Sequence, residues 1–573
     1  LVYRPMIIPP VDHKLDSSGG YLHHWIRKEV VHRYVSEYAE DKSITQKHSE
    51  PSQFVLDGVN AMQQTEWAVN DKVLSVMQNM FKTSNCLANL PAYNFDEFKF
   101  STPYPEEGTK EEQAKWCQHR EEMYSEWFKQ EQARARMLVR LSLAKKMNKY
   151  KFFYMPITLD FRGRAYTTCE LLSHQSSDFD KALIHFAEPV KQTKRGLYWV
   201  KVHVANLFDQ DKLPFDERVQ WVDDNMDMLQ RINNDPYDNK EWVSDKKKKN
   251  PSFQRLAAVF ELCRTDGLTQ LAPQMDGACN GSQHWAAIMG DEIIGALTNV
   301  LPAEIPQDLY QFIADKTTDY CKKNKENISW CENFLEYWPD GIDRAVTKRP
   351  TMCDAYGLTF YGIQKYIKIE GHVDWVPKEK QGGAIVEMAR AIQHGLGEAL
   401  QEPNRGKEWL KECAETCGDA GLHLEYTVPS GFKVVHAYYQ IKKRRSLASL
   451  FNHKELIFWN VSKDVHKDKA MLGIPPNYIH SLDASHMFCT VKQMITAGIE
   501  RFSMIHDSYG CPAPYVDMMN QFIRDEFFKM HKENQLEVFK RCVEATAGVT
   551  LPDVPDRRDM DLTRVLDSKY FFS

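Results

Sequence analysis

The sequence predicts a helix-rich, mixed α/β protein built as several lobes, and three observations carry that expectation. The chain has 573 residues and a mass of 66.7 kDa, more than one hydrophobic core ordinarily spans. Stretches with apolar residues at helical spacing recur along it, YLHHWIRKEVVHRYVSEYAE and EWAVNDKVLSVMQNMF among the first. Between such stretches lie short β-favouring runs closed by turn formers, as in KFFYMPITLDFRGRAY with its Arg-Gly-Arg turn.

Taken in order, residues 1–90 begin irregularly and proline-rich, then read as helical. From Pro103 to Met147 the text is highly charged and nearly free of glycine, which predicts long exposed helices projecting from the body. Residues 150–300 mix short strands and helices. They include the run Asp245 to Lys249, DKKKK, whose plainest reading is a solvated loop. Ala384 to Leu400 is amphipathic, with Ile385, Met388, Ile392 and Leu396 on one helical face. Residues 424–462 read as strands and a hairpin with a basic tip at Lys442, Lys443, Arg444 and Arg445. The last stretch, LTRVLDSKYFFS, is apolar and aromatic through Ser573, as a docked segment would be.

Composition narrows the class. With 43% hydrophobic and 27% charged residues and a mean hydropathy of −0.53, the chain reads as an ordinary soluble protein. It contains no run of about 18 apolar residues, so no membrane span is expected. The first residues, LVYRPMIIPPVDHKLD, lack the layout of a signal peptide and an initiator methionine, so further residues are expected upstream. Thirteen cysteines carry no paired CxxC, and Cys413 and Cys417 form a lone CxxxC; reduced, mostly buried thiols fit better than a zinc site. The net charge of −6 gives no general attraction to nucleic acid, so any such role rests on a local basic cleft.

Three stretches carry more than packing. In LAPQMDGACNGSQHW an apolar, strand-like run delivers Asp276 to a glycine-containing turn. In DRAVTKRPTMCDAYG, Arg344, Lys348, Met352 and Tyr356 recur every four residues along one slowly rotating stripe. Pro350 interrupts that helix, and its missing donor predicts a bend or a locally opened turn. In RFSMIHDSYGCP a second apolar run delivers His506 and Asp507 to a turn. Singly these read as a helix cap, a solvated face and a hydrogen-bonded hairpin. In this order they match nucleotidyl transfer, in which two carboxylates hold divalent cations about 3.5–4 Å apart and cationic side chains grip a triphosphate. Magnesium suits such a site because it prefers oxygen donors and accepts few protein ligands.

The carboxylate strand, the R-x-x-x-K helix ending in Tyr-Gly and the His-Asp hairpin resemble motifs A, B and C of right-hand polymerases. Asp276 to His284, Arg344 to Arg349 and HDSYG are similar to the single-subunit RNA polymerases of phages and mitochondria. So are DFRGRAY (Asp160 to Tyr166), PNYIHSLDASH (Pro476 to His486) and the aromatic end. The likeness runs nearly end to end, and HDSYG with the Thr-Lys-Arg of the helix places it nearer the phage branch. By that resemblance Asp276 and Asp507 bind two Mg2+ ions, with Gly277 offering its carbonyl, and Lys348 is catalytic. Arg344 and Lys348 hold the triphosphate, Tyr356 and His480 select the ribose, and His506 lies beside the growing RNA end. Arg162, Gly163 and Arg164 contact template and hybrid, and the hairpin with Lys442 to Arg445 reads promoter DNA.

The resemblance further implies a right-handed architecture. Residues 1–90 would be the remnant of an N-terminal region, and 91–150 a helical thumb. Residues 151–293 would be palm; 294–480 would be fingers with the hairpin at 428–462; 481–573 would be more palm and a C-terminal foot. The implied activity is DNA-templated RNA synthesis by a monomer acting on a double-stranded DNA promoter and template, with ribonucleoside triphosphates as substrate and RNA as product. The implied setting is the cytoplasm of a bacterial host for a phage enzyme, with the mitochondrial matrix as the alternative. Competing readings are a primase, a family A–like DNA polymerase, and an inactive DNA-binding remnant.

Overall fold

A computed structural model describes residues 3–31, 48–93, 99–244, 251–448 and 454–573, the side chains of 441–461 and 463 excepted. The expected fold class holds: helices dominate, and the described strands form one three-stranded and several two-stranded antiparallel sheets. Three large hydrophobic cores organise the described residues, with a small fourth around Met6, Tyr21 and Tyr154. The first surrounds the buried helix Lys467–Thr496, which packs on Gln53–Gln63, Asn280–Met289, Gln401–Asp419 and Val516–Lys532. It includes Met275 and Tyr509, on the strands that carry the candidate carboxylates. The second gathers the helices Asp71–Lys82, Lys194–Leu207 and Ser252–Leu262. The third gathers helices between residues 286 and 400. Within the stretch 294–480, Trp409, Leu410, Tyr426 and Ile474 pack in the first core.

The charged stretch is a single helix, Lys110–Met147, of 38 residues. A capping box between Thr109 and Glu112 starts it, and at 1.5 Å per residue it runs for about 57 Å. Its described buried residues lie in the final turns, from Met137 to Met147, where the Arg140 guanidinium meets the buried Asp180 carboxylate at 2.8 Å. The amphipathic prediction at 384–400 is met by Gln381–Ala399, with Met388, Ile392 and Leu396 buried.

Elsewhere tertiary contacts override helical spacing. Residues 21–31 contain only the short 3-10 turn His24–Ile26; the Arg27 guanidinium donates to the carbonyls of Ser18, Tyr21 and Leu22 and ties the backbone into a loop. Trp67–Val69 is a strand paired with Ile184–Phe186, and the predicted helix begins only after its Asn70 cap. The hairpin is present as Tyr439–Ala448 and Lys454–Val465, but Lys442 to Arg445 lie along the first strand, opposite Asn460 to Ile457, not at its tip. Their side chains lie outside the described residues, as does the whole run Asp245 to Lys249. All thirteen cysteines are unpaired, and Cys413 and Cys417 are buried. Among the described residues no helix is long and apolar enough to cross a membrane.

Candidate active site

The two aspartates meet on one small sheet. Strands Ser503–Ile505, Ser508–Gly510 and Gln274–Asp276 lie side by side in that order, all antiparallel, with Ser508 opposite Asp276. His506 and Asp507 are the two loop residues of the hairpin. His506 adopts a left-handed φ of 51°, a conformation histidine tolerates better than β-branched residues do. The Gly277 N–H donates to the Asp507 carbonyl at 3.0 Å, which closes the turn against the motif A segment. On the other side Ser573 exchanges main-chain bonds with Asp276, and Phe572 pairs with Gly277. The docked final segment is therefore part of the site, with Phe571 and Phe572 fully buried beneath it.

Negative charge is concentrated here. Asp276 is exposed and Asp507 half-buried. Burial, then the carboxylates of Asp483 and Asp276, push Asp507 up to about 7. Burial also opposes the charge on Asp483, but Arg164, His284 and His506 together outweigh it and hold that carboxyl below its usual range. Asp483 accepts from Arg164 Nε at 2.9 Å and from Asn280 Nδ2 at 2.7 Å. The oxygen-only donor set of Asp276, Asp507 and the Gly277 carbonyl, together with this excess of carboxylate, fits a hard divalent cation. Among the described residues no group of three or more His, Cys, Asp or Glu side chains is gathered to hold a metal by itself.

The cationic helix is Arg344–Asp354, capped by the Asp343 carboxylate. It runs unbroken through Pro350 and Met352, so the expected opened turn is not there. Two hydroxyls bond carbonyls within it: Thr351 donates to that of Thr347 at 2.8 Å, and Thr347 to that of Arg344 at 3.2 Å. The Arg344 guanidinium bonds the Asp308 carboxylate at 2.5 Å, and Lys212 reaches the same oxygen at 3.7 Å. Arg344 and Lys348 both lie over the Tyr310 ring, at 5.1 and 5.8 Å. Past the helix, Tyr356 packs 4.4 Å from the His480 ring. Gly281 makes room for it: a Cβ there would stand 2.8 Å from Ala355 Cβ and 3.0 Å from the Tyr356 hydroxyl.

The DFRGR turn joins strands Ile157–Leu159 and Ala165–Thr167. Arg162 bonds Asp160 and donates to His480 Nδ1 at 2.6 Å. Because a guanidinium only donates, Nδ1 must accept, and the His480 proton sits on Nε2. Burial, with the Arg164 and Arg162 charges, keeps that imidazole neutral. Arg164 is held in its buried ion pair with Asp483, and a Cβ on Gly163, which has a φ of 95°, would stand 3.3 Å from the Phe432 ring. Arg164 thereby braces the site through Asp483, and Gly163 serves the turn and its packing. His506 stacks edge-on to Tyr166 at 4.7 Å, and burial pulls it down to about 4.

Sequence reading missed Asp483, Asn280, Gly281, Asp308, Tyr310 and Lys212. Only Asp483 carried a signal, an acid inside the otherwise buried run SLDASH; Asp308 reads as an ordinary helix cap, which it also is.

A family model described as DNA-dependent RNA polymerase matches residues 190–548. This chain belongs to that family. Three curated relatives of this RNA polymerase family chain align over its whole length. It is 29% identical to DNA-directed RNA polymerase 2B, chloroplastic/mitochondrial, of Nicotiana tabacum, covering 56% of that protein. It is 28% identical to DNA-directed RNA polymerase 2, chloroplastic/mitochondrial, of Arabidopsis thaliana, covering 57%. It is also 28% identical to DNA-directed RNA polymerase 1, mitochondrial, of Nicotiana sylvestris, covering 57%. The chain thus spans little more than half the length of these relatives. Their plant organellar names overturn the expectation of a bacterial host's cytoplasm. Among solved structures, the POL domain of Pol1 from M. smegmatis, in complex with DNA primer-template and dNTP, aligns at 11% identity and a TM-score of 0.39. That alignment covers 83% of this chain and 66% of the other.

Proposed function

We propose that this chain carries the nucleotidyl-transfer centre of a DNA-templated RNA polymerase working on ribonucleoside triphosphates. The observation that carries the reading is the strand register that sets Asp276 beside the His506–Asp507 turn. Asp276 and Asp507, with the Gly277 carbonyl, would hold two magnesium ions. Bound there, those ions would supply the positive charge that favours the 3′-oxyanion and offsets charge on the departing pyrophosphate. The RNA 3′-oxygen forms its bond to the α-phosphorus as the bond to the β-phosphate oxygen breaks. Arg344 grips the triphosphate, and Lys348 Nζ gives a proton to the leaving pyrophosphate. Lys212, which shares Asp308 with Arg344, belongs to the same cationic rim.

Tyr356 lies over the sugar, and His480 Nε2–H donates to the ribose 2′-oxygen. A deoxynucleotide would leave that donor unpaired, which is a strong basis for rejection. The Lys110–Met147 helix serves as thumb, the three-stranded sheet as palm, and the helices of the third core as fingers. The hairpin at 428–462 reads promoter DNA. HDSYG and the Thr-Lys-Arg of the cationic helix favour the phage branch of the family, and the compartment we propose is an organelle like those in the relatives' names.

Extension of an RNA primer on a DNA template, with magnesium or with chelator, tests this reading. Ribonucleotides should be preferred, chelator should stop extension, and Asp276→Asn or Asp507→Asn should abolish it while template binding persists. Preferential deoxynucleotide use would point instead to a DNA polymerase. Full activity in either Asn variant would refute the metal assignment.

A further inference from the structure

A lysine is buried behind the sugar-facing tyrosine. Lys407, on helix Gln401–Asp419, is only 5% exposed, yet lysine is rarely buried without a specific partner. Its ammonium donates to the Asp354 carboxylate at 2.7 Å and to the Asp354 main-chain carbonyl at 2.9 Å. Asp354 is the last residue of the cationic helix, where a cation also complements the helix dipole. The next carbonyl, that of Ala355, accepts from Trp285 Nε1 at 3.0 Å. Both carbonyls preceding Tyr356 are therefore held by side chains of the first core.

The anchors are themselves fixed. Beside Lys407, a Cβ on Gly406 would stand 2.5 Å from the Trp285 ring and 3.0 Å from Met289 Sδ. The helices bearing Lys407 and Trp285 thus touch where glycine permits it. Trp285 lies on the same helix as Gly281, whose missing Cβ receives the Tyr356 ring. Together these contacts tie the Tyr356 turn to the helix that follows Asp276. An apolar residue at 407 could fill the space, but it could not hold the Asp354 carbonyl.

We propose that Lys407 is a positioning residue for ribose selection. By fixing Asp354, it sets the Tyr356 ring against Gly281 and His480, where a small displacement would loosen the fit to the sugar. This rests on Tyr356 being the selector, as argued above.

The test is single-nucleotide extension with matched ribo- and deoxynucleoside triphosphates. It compares the wild type with Tyr356→Phe, Lys407→Met, Lys407→Arg and the double variant Asp354→Leu/Lys407→Met. The ratio of ribo to deoxy kcat/KM should fall roughly tenfold in Lys407→Met, chiefly through a lower deoxynucleotide KM. Lys407→Arg should recover part of the ratio. The double variant, which no longer buries a lone carboxylate, should regain the thermal midpoint lost in Lys407→Met. Its ratio should nevertheless stay low, because the Asp354 carbonyl keeps only the Gly357 N–H and no longer has the ammonium that ties it to helix Gln401–Asp419. If Tyr356→Phe lowers the ratio but Lys407→Met and the double variant do not, Lys407 has no such role. Should Lys407→Met fail to fold, the double variant alone decides the matter. If Tyr356→Phe itself leaves the ratio unchanged, Tyr356 is not the selector and both readings fall.

Discussion

At Gly281 one absent methyl group governs where Tyr356 can sit. Alanine there gains about 1 kcal/mol of helix propensity, but the overlap with Ala355 and Tyr356 costs about 1–3 kcal/mol. Gly281→Ala should therefore destabilise the fold only slightly, while the nucleotide KM rises roughly tenfold as the tyrosine is pushed aside. An unchanged KM would mean that Tyr356 does not line the nucleotide site. Asp507 makes a prediction with a definite sign. Its carboxyl is raised in the folded chain from 3.8 to about 7. In metal-free buffer its contribution to stability is thus full below about pH 4 and is lost as the pH rises toward 7. Asp507→Asn cannot ionise, so its stability, read from its melting midpoint, should gain on the wild type across that interval, by up to about 4 kcal/mol in all. Parallel curves from pH 4 to 8 would show that Asp507 is not so perturbed. The meeting of Asp276 with Asp507 was legible because the three motifs follow one another in a polymerase-like order, although each acid alone reads as a cap or a turn. Gly281 was not, since what a glycine makes room for depends on a neighbour far away in sequence.

The helix Arg344–Asp354 was legible in its periodicity, and its Asp343 cap is a standard signal. Its response to Pro350 was not, because propensity treats the segment as an isolated peptide. Here Val346, Thr347, Pro350 and Thr351 are all buried, and packing holds the helix through a residue that would open it in water. The missing hydrogen bond remains a cost nonetheless. Pro350→Ala should raise stability by up to about 3 kcal/mol, read as a higher melting midpoint with the helix otherwise intact. A lower midpoint would show that the proline ring is part of the packing. The DFRGR hairpin carries the same lesson. Its turn could be read from Arg-Gly-Arg, but the destination of each guanidinium could not. His480 and Asp483 lie on a helix 318 and 319 positions away from their arginine partners.

At the scale of the whole molecule, the three large cores among the described residues agree with the expectation of several lobes. Helix Gln401–Asp419 follows directly on Gln381–Ala399, yet the two face different cores. Nothing in their amphipathic patterns says which neighbour each apolar face meets. The final aromatic residues, by contrast, read correctly as docked. Phe572 touches Tyr509 at 5.1 Å and its backbone borders Gly277, so Phe572→Ala should cost about 3–5 kcal/mol. Extension activity should fall further than the loss of folded protein accounts for, because the Asp276 strand loses its support. Activity that merely tracks the folded fraction would limit the residue to packing.

The pairing of Ser573 with Asp276 also orders events during synthesis. Gln283, just past the first aspartate, bonds the Phe571 carbonyl 288 positions downstream, and Gln274 bonds Ser503 across 229. On a ribosome, the first carboxylate strand waits for partners made long afterwards, and such distant contacts form slowly. A nascent chain released before residues 571–573 emerge would carry every candidate side chain and still lack the frame that aligns them. Prematurely terminated products are therefore expected to lack the aligned pair of aspartates.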